Sequence, residues 1–297
     1  MSTLTSVGGN ERTASWRRID AGGVSTHYAV AGRGRPVLFL HGWGLGHRTY
    51  NRPLAALTRR GCRVFAPSLP GFGGTHQLPR SRRTLSGYGQ WVASFLEAVG
   101  VEDPVFLVGH SFGGGVAVSY AHQHPQAVGY LVLVNSVGGA NTQHAAGRPG
   151  YLGGRPLWSW MVQLGREFLP PDKGARLIAD MWSDLATNLR HNPLDLMELG
   201  KLAASANLLG ELKDLREKGV PVLALRGHSD GVVPLAAFEA MCMAIGTPGQ
   251  IVVGNHSFLL ADPRAFDEVM ANLLSVGGTS EVGGGPGPAA LSTGATA

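Results

Sequence analysis

Three residues of this chain have the types and neighbours that acyl chemistry needs: Ser111, Asp230 and His256. Ser111 lies in Gly109-His110-Ser111-Phe112-Gly113, a Gly-x-Ser-x-Gly pattern. A serine can be held at a strained strand-to-helix turn only where its neighbours lack side chains that would collide there, and Gly109 and Gly113 leave that room. Such a turn lifts the hydroxyl clear of the sheet. The helix that follows aims unpaired N–H groups, and its positive end, at the place where a negative oxygen would form. A free serine hydroxyl is barely nucleophilic at neutral pH, so Ser111 needs a base. Of the 11 histidines, His256 stands in Gly254-Asn255-His256-Ser257-Phe258, just after a late apolar stretch. Its acidic partner is Asp230, in Arg226-Gly227-His228-Ser229-Asp230-Gly231-Val232-Val233-Pro234, which follows the apolar stretch before that one.

The elements around these residues alternate. Trp16–Asp20 and Val24–Val30 read as a strand pair turning at Gly22-Gly23. Short continuous apolar runs at Pro36–Leu40, Arg63–Pro67, Val105–Val108, Tyr130–Val134, Val220–Leu225 and Gln250–Val253 read as strands buried on both faces. Helical spacing appears at Tyr50–Arg60, Leu85–Val99, Gly113–His122, Leu212–Lys218, Leu235–Ala244 and Ala265–Leu274. This order predicts an α/β fold: a mostly parallel sheet with helices on both faces. Catalytic groups in such sheets gather at the carboxyl ends of the strands, where Ser111, Asp230 and His256 all fall. After Val137 the alternation stops. Leu157–Phe168, Lys173–Leu189 and Leu194–Ala206 read as amphipathic helices with no strand between them. Residues 139–207 are therefore expected to form an inserted helical cap on a core made of 16–138 plus 208–275. A flexible N-terminus (1–15) and a disordered Gly/Pro/Ala/Ser/Thr-rich tail (276–297) complete the expected organisation.

Composition narrows the function classes. The 297 residues carry a formal charge of +5, dispersed rather than striped, with no aromatic interleaving, so no nucleic-acid partner is expected. Arg80–Arg83 is a dense basic spot that could steer an anionic substrate or touch anionic lipid at a membrane surface. No apolar run approaches the roughly 20 residues a spanning helix needs, and Met1–Asn10 lacks the apolar core of a signal peptide. The expectation is a soluble cytoplasmic protein. The two cysteines have no metal spacing, and His122 and His124 face different ways on a helix, so no metal is expected. Gly113–Gly115 lacks the context of a dinucleotide loop, so no cofactor is expected either. The oligomeric state is not readable from the sequence.

Taken together the motifs resemble the α/β-hydrolase fold family in its form with a helical cap. His41-Gly42-Trp43-Gly44 resembles the family's oxyanion loop. Ser68-Leu69-Pro70-Gly71-Phe72-Gly73 is similar to its D-x-P-G-x-G loop, with Ser68 where the family has Asp. Gly109–Gly113 is its nucleophile elbow, and Gly227–Pro234 resembles its acid loop. His256, followed by Asp262-Pro263, matches its base, and the chain order Ser…Asp…His is the family's order. The resemblance spans about Trp16–Leu274. It implies Ser111 as nucleophile, His256 as general base and acid, and Asp230 as orienter. It also implies an oxyanion hole from the backbone N–H groups of Phe112 and Trp43. Some family members carry the orienter after the strand that here ends in Val134, but that position holds Asn135-Ser136. The Trp43 indole either walls the pocket or packs. Trp158, Met161 and Trp182 either line an acyl pocket or pack cap against core.

The expected activity is that of a serine hydrolase on an apolar or weakly polar small-molecule acyl substrate, most simply a carboxylic ester. C–C bond hydrolysis and cofactor-free, haloperoxidase-type perhydrolysis use the same triad and stay open. Epoxide and haloalkane hydrolysis use an aspartate nucleophile, and the elbow here holds Ser111. A non-catalytic ligand-binding member of the fold is the reading from another class.

Overall fold

The computed structural model describes residues 14–139, 175–191, 193–261 and 263–276. Eight strands form one sheet: β1 (Ser15–Ala21), β2 (Val24–Ala31), β3 (Arg35–Leu40), β4 (Cys62–Pro67), β5 (Val105–His110), β6 (Val128–Val134), β7 (Val222–Gly227) and β8 (Gln250–Val252). Their order across the sheet is β1-β2-β4-β3-β5-β6-β7-β8. β1 pairs antiparallel with β2 and β2 antiparallel with β4, while the other neighbours are parallel. The crossovers are helical: α1 (Asn51–Arg59), α2 (Leu85–Ala98), α3 (Phe112–Gln123), α6 (Leu209–Glu217) and α7 (Leu235–Ile245), with α8 (Phe258–Ala261) and α9 (Arg264–Val276) after the last strand. Between β6 and α6 lie α4 (Ala175–His191) and α5 (Pro193–Ala204).

The central strands are apolar on both faces because helices cover both, and period-2 alternation sorts their side chains into two cores. Leu38, Leu40, Leu107, Leu131 and Leu133 pack with Trp91, Phe95, Val116 and Tyr120 from α2 and α3. Val37, Phe39, Val108, Val132 and Val134 pack with Leu54 and Leu57 of α1 and Phe266 and Met270 of α9. The inserted helices join both: Leu185, Leu196, Leu199 and Ala203 belong to the first core, and Leu177 and Met181 to the second.

The sequence-derived strands and helices agree with these elements to within a few residues. α8 escaped notice, since four residues carry too little periodicity to register. The helix expected over Leu157–Phe168, residues 1–13 of the N-terminus expected to be flexible and residues 277–297 of the tail expected to be disordered lie outside the described residues, while Ser15 belongs to β1 and Val276 to α9. Among the described residues no helix is long and apolar enough to cross a membrane.

Candidate active site

β5 is central in the sheet, and the chain turns sharply at its carboxyl end. Ser111 adopts φ 53° and ψ −117°, a backbone conformation that costs a non-glycine residue about 1–3 kcal/mol. The turn is so close that a Cβ on Gly109 would lie 2.6 Å from the Gly113 carbonyl oxygen. A Cβ on Gly113 would lie 2.3 Å from the carbonyl oxygen of Leu40. The first turn of α3 therefore sits directly against the end of β3, beside the His41–Trp43 segment. Phe112 is the first residue of α3, so the helix has no partner for its N–H.

The candidate acid and base, Asp230 and His256, arrive from the two loops that follow β7 and β8. His256 Nε2 is 3.0 Å from Ser111 Oγ. Its Nδ1 is 3.0 Å from Asp230 Oδ2 and 3.1 Å from Oδ1. All three residues are buried. A carboxylate can only accept, so Nδ1 carries the proton and Nε2 is left to accept from the Ser111 hydroxyl. Burial pushes the Asp230 carboxyl up, but the adjacent His256 and the N–H groups of Val233 and Val232 outweigh it and hold it below the ordinary carboxylate value. Those N–H groups reach Oδ1 at 3.0 and 2.8 Å.

Two further residues build the acid loop, and neither was marked by the sequence motifs. The Arg226 guanidinium is buried and donates to the carbonyls of Gly227, His228, Asp230 and Val233 at 2.8–3.2 Å. It folds the loop around Asp230 as a template would. Asn135 fills the position after β6 where some members of the resembled family carry the acid. Its Oδ1 accepts from Gly227 N–H at 2.8 Å and its Nδ2 donates to the His256 carbonyl at 2.7 Å. Its φ of 46° is tolerated by a short amide side chain. One amide thus ties the ends of β6 and β7 to the backbone of His256.

A directed chain of hydrogen bonds joins the segment after β3 to the same carbonyl. Gly42 N–H donates to Tyr50 Oη at 2.8 Å. The Tyr50 hydroxyl donates to His110 Nδ1 at 2.7 Å, and His110 Nε2–H donates to the His256 carbonyl at 2.9 Å. An amide can only donate and a carbonyl can only accept, so both intervening groups have a single orientation. Burial first, and then the nearby His256, pushes His110 down to about 3, which keeps its ring neutral. His41 is neutral as well: burial lowers it to about 4, with Nδ1–H on the Gly42 carbonyl and Nε2 accepting from Leu69 N–H, both at 2.8 Å. It orders the loop by bonding Gly42 on one side and Leu69 on the other.

Of the other residues singled out in the sequence, Trp43 is half-buried, and its indole N–H donates to the Leu196 carbonyl of α5 at 2.8 Å. Trp182 stands on α4 with 49% of its surface exposed. Trp158 and Met161 lie outside the described residues. Ser68 is fully buried and closes against Gly73, where a Cβ would meet its hydroxyl oxygen. In the basic stretch, Arg83 pairs with Asp195 and Glu198 of α5 at 2.7 Å each. One of its charges is therefore spent on the inserted helices rather than offered to a partner.

Known proteins share this arrangement of chain. A non-heme haloperoxidase by description, from a Mycobacterium phage, is 26% identical over 275 residues, covering 86% of this chain and 92% of that protein. The 2-hydroxy-6-oxo-6-(2'-aminophenyl)hexa-2,4-dienoic acid hydrolase of Metapseudomonas resinovorans is 27% identical over 266 residues, covering 87% and 90%. The crystal structure of an esterase from a Rhodococcus species superposes with a TM-score of 0.69 at 25% identity, over 88% of this chain and 98% of that one. The family model of the alpha/beta hydrolase fold matches residues 35–208, from β3 through both described inserted helices. With that match and a mostly parallel eight-stranded sheet covered by helices on both faces, the chain belongs to the α/β-hydrolase fold family.

Proposed function

We propose that the protein is a serine hydrolase that cleaves an apolar or weakly polar acyl substrate, a carboxylic ester first of all, through an acyl-enzyme on Ser111. The observation that carries this is the placement of His256 within hydrogen-bond reach of both Ser111 Oγ and the Asp230 carboxylate. Ser111 Oγ attacks the acyl carbon while His256 Nε2 takes the hydroxyl proton. Asp230, held ionised by its surroundings, stabilises the imidazolium that results. The tetrahedral oxyanion is received by the N–H groups of Phe112 and Trp43; one such donor is typically worth about 3 kcal/mol. As the intermediate collapses, His256 passes the proton to the leaving alcohol. Water then enters, gives its proton to His256, and releases the acid and Ser111. In this reading residues 139–207 act as the cap over the pocket, and Trp43, Trp158, Met161 and Trp182 face the acyl chain. The substrate is a small molecule met in the cytoplasm.

The test is hydrolysis of p-nitrophenyl esters from acetate to palmitate by wild type and Ser111→Ala. Turnover that vanishes in the variant supports the reading, and the best chain length sizes the pocket. A folded wild type that turns over none of them overturns ester hydrolysis. The likeness to a dienoic acid hydrolase supports a second reading, cleavage of a C–C bond beside a carbonyl by the same triad. Loss of absorbance from a vinylogous 1,5-diketone, abolished by Ser111→Ala, separates it from the first. Ligand binding by a wild type inert in both assays would leave the non-catalytic reading.

A further inference from the structure

The segment that follows β3 reads Gly42-Trp43-Gly44-Leu45-Gly46, with glycine at every second position. Glycine gives a chain the least intrinsic stiffness of any residue, and Gly44 adopts φ 76°. The order of this loop must therefore come from bonds to something else. Gly42 is held from the core by Tyr50. The next three anchors come from the inserted helices. The Trp43 indole N–H reaches the Leu196 carbonyl of α5. The Gly44 carbonyl accepts from Asn188 Nδ2 at 2.9 Å, and Gly46 N–H donates to Asp184 Oδ2 at 3.0 Å. That same Asp184 oxygen also accepts from the Thr49 hydroxyl. Asp184 and Asn188 stand four apart on α4, so they share one face of the helix. Asn188 is 3% exposed, and its Oδ1 accepts from Gly73 N–H at 2.9 Å, which joins a second loop to the brace.

We propose that Asp184 and Asn188 are positioning residues that brace the Gly42–Gly46 loop from the cap side and so set the Trp43 N–H as an oxyanion donor. This rests on the serine-hydrolase reading for the role of Trp43. Their effect is on charge developed during reaction, not on substrate affinity. The cap helices are a structural part of the oxyanion hole rather than a separate cover, so movement of α4 displaces the donor along with the pocket wall.

Asp184→Ala removes the acceptor, whereas Asp184→Asn keeps an oxygen that can take both bonds. Asn188→Asp keeps the acceptor for Gly73 but turns a carboxylate oxygen toward the Gly44 carbonyl, so it strikes the loop alone. Three measurements apply: kcat and KM on the best p-nitrophenyl ester, the affinity for an alkyl trifluoromethyl ketone, whose Ser111 adduct places an oxyanion in the hole, and amide hydrogen exchange across residues 42–46. Asp184→Ala and Asn188→Asp should each lower kcat by about tenfold to a hundredfold, with KM within about threefold. Ketone affinity should fall in parallel with kcat, and exchange at Gly44–Gly46 should quicken. Asp184→Asn should recover most of the loss. A rise in KM at unchanged kcat, or equal damage from Asp184→Ala and Asp184→Asn, overturns the proposal. If wild type neither turns over esters nor binds the ketone, the hydrolase reading fails by itself. Hydrogen exchange then still decides the brace: unchanged exchange in both damaging variants overturns it.

Discussion

His110 donates its Nε2–H to the backbone carbonyl of His256, 2.9 Å away, so the residue before the nucleophile holds the residue proposed as its base. His110 can do so only as the neutral Nε2–H tautomer, and the Tyr50 hydroxyl on Nδ1 enforces that tautomer.

Tyr50→Phe tests this link. It leaves both Gly42 N–H and His110 Nδ1 buried without their partner. Stability should fall by about 2–4 kcal/mol, as a lower urea midpoint at an unchanged slope. The folded variant should also lose activity. Wild-type stability in this variant would show that the hydroxyl is replaceable.

Strain at the elbow can be isolated by comparing two variants at one position. Ser111→Ala and Ser111→Gly both lack the hydroxyl, but only glycine relaxes at φ 53°. The glycine variant should be more stable than the alanine variant by about 1 kcal/mol, read from paired urea melts. Equal midpoints would mean that the turn stores no strain on the residue.

Acid should weaken the fold well above the carboxylate range. His41 and His110 start from 6.5 when unfolded and are pushed down to about 4 and about 3 when folded. Below pH 6.5 the unfolded chain takes up protons that the folded one refuses. The stability these residues confer is complete above pH 6.5 and is lost as pH falls toward their folded values, at about 1.4 kcal/mol per pH unit for each group. Asp230, held below its ordinary value, adds a loss only as pH falls below that value. Urea midpoints from pH 7 to pH 4.5 should fall steadily, and His41→Gln should remove roughly half of the slope. A flat profile over that range would contradict neutral buried rings.

Arg226→Lys keeps a charge but cannot reach four carbonyls from one atom. It should cost about 3 kcal/mol of stability and reduce kcat more than KM, since the loop it shapes holds the proposed acid, Asp230. Differential scanning calorimetry with steady-state kinetics reads both. A variant as active and as stable as wild type would make the guanidinium a spectator.

Ser111, Asp230 and His256 were legible in the sequence because each sits in a short motif at the end of a strand, and strand alternation puts those ends together. The elbow glycines were legible for the same local reason. Tyr50, Asn135 and Arg226 were not. Tyr50 and Asn135 have partners up to 121 residues away along the chain, Arg226 meets its near neighbours only once the loop has folded back on it, and a buried tyrosine, asparagine or arginine looks locally like packing, a turn or a solvated charge. Asn135 was noticed only as a missing carboxylate; its use is to serve two loops with the two ends of one amide. Asp184 and Asn188 fall in a helix whose pattern reads simply as amphipathic, with no mark to separate polar residues facing water from polar residues facing a loop.

β8 has only three residues and, among the described residues, pairs with β7 alone, through Leu225–Gln250, Arg226–Ile251 and Gly227–Val252. The proposed nucleophile therefore hangs from the middle of the sheet, and its base from the rim. Local opening costs least where a strand is short and one-sided, so the rim detaches at a lower free energy than the whole molecule unfolds. On warming, catalysis should fail while the circular dichroism of the fold is still intact. Removing Asn135 or His110 from the His256 carbonyl should widen that gap in temperature. The working life of such an enzyme would then be set by how long its last strand stays attached, rather than by its melting point.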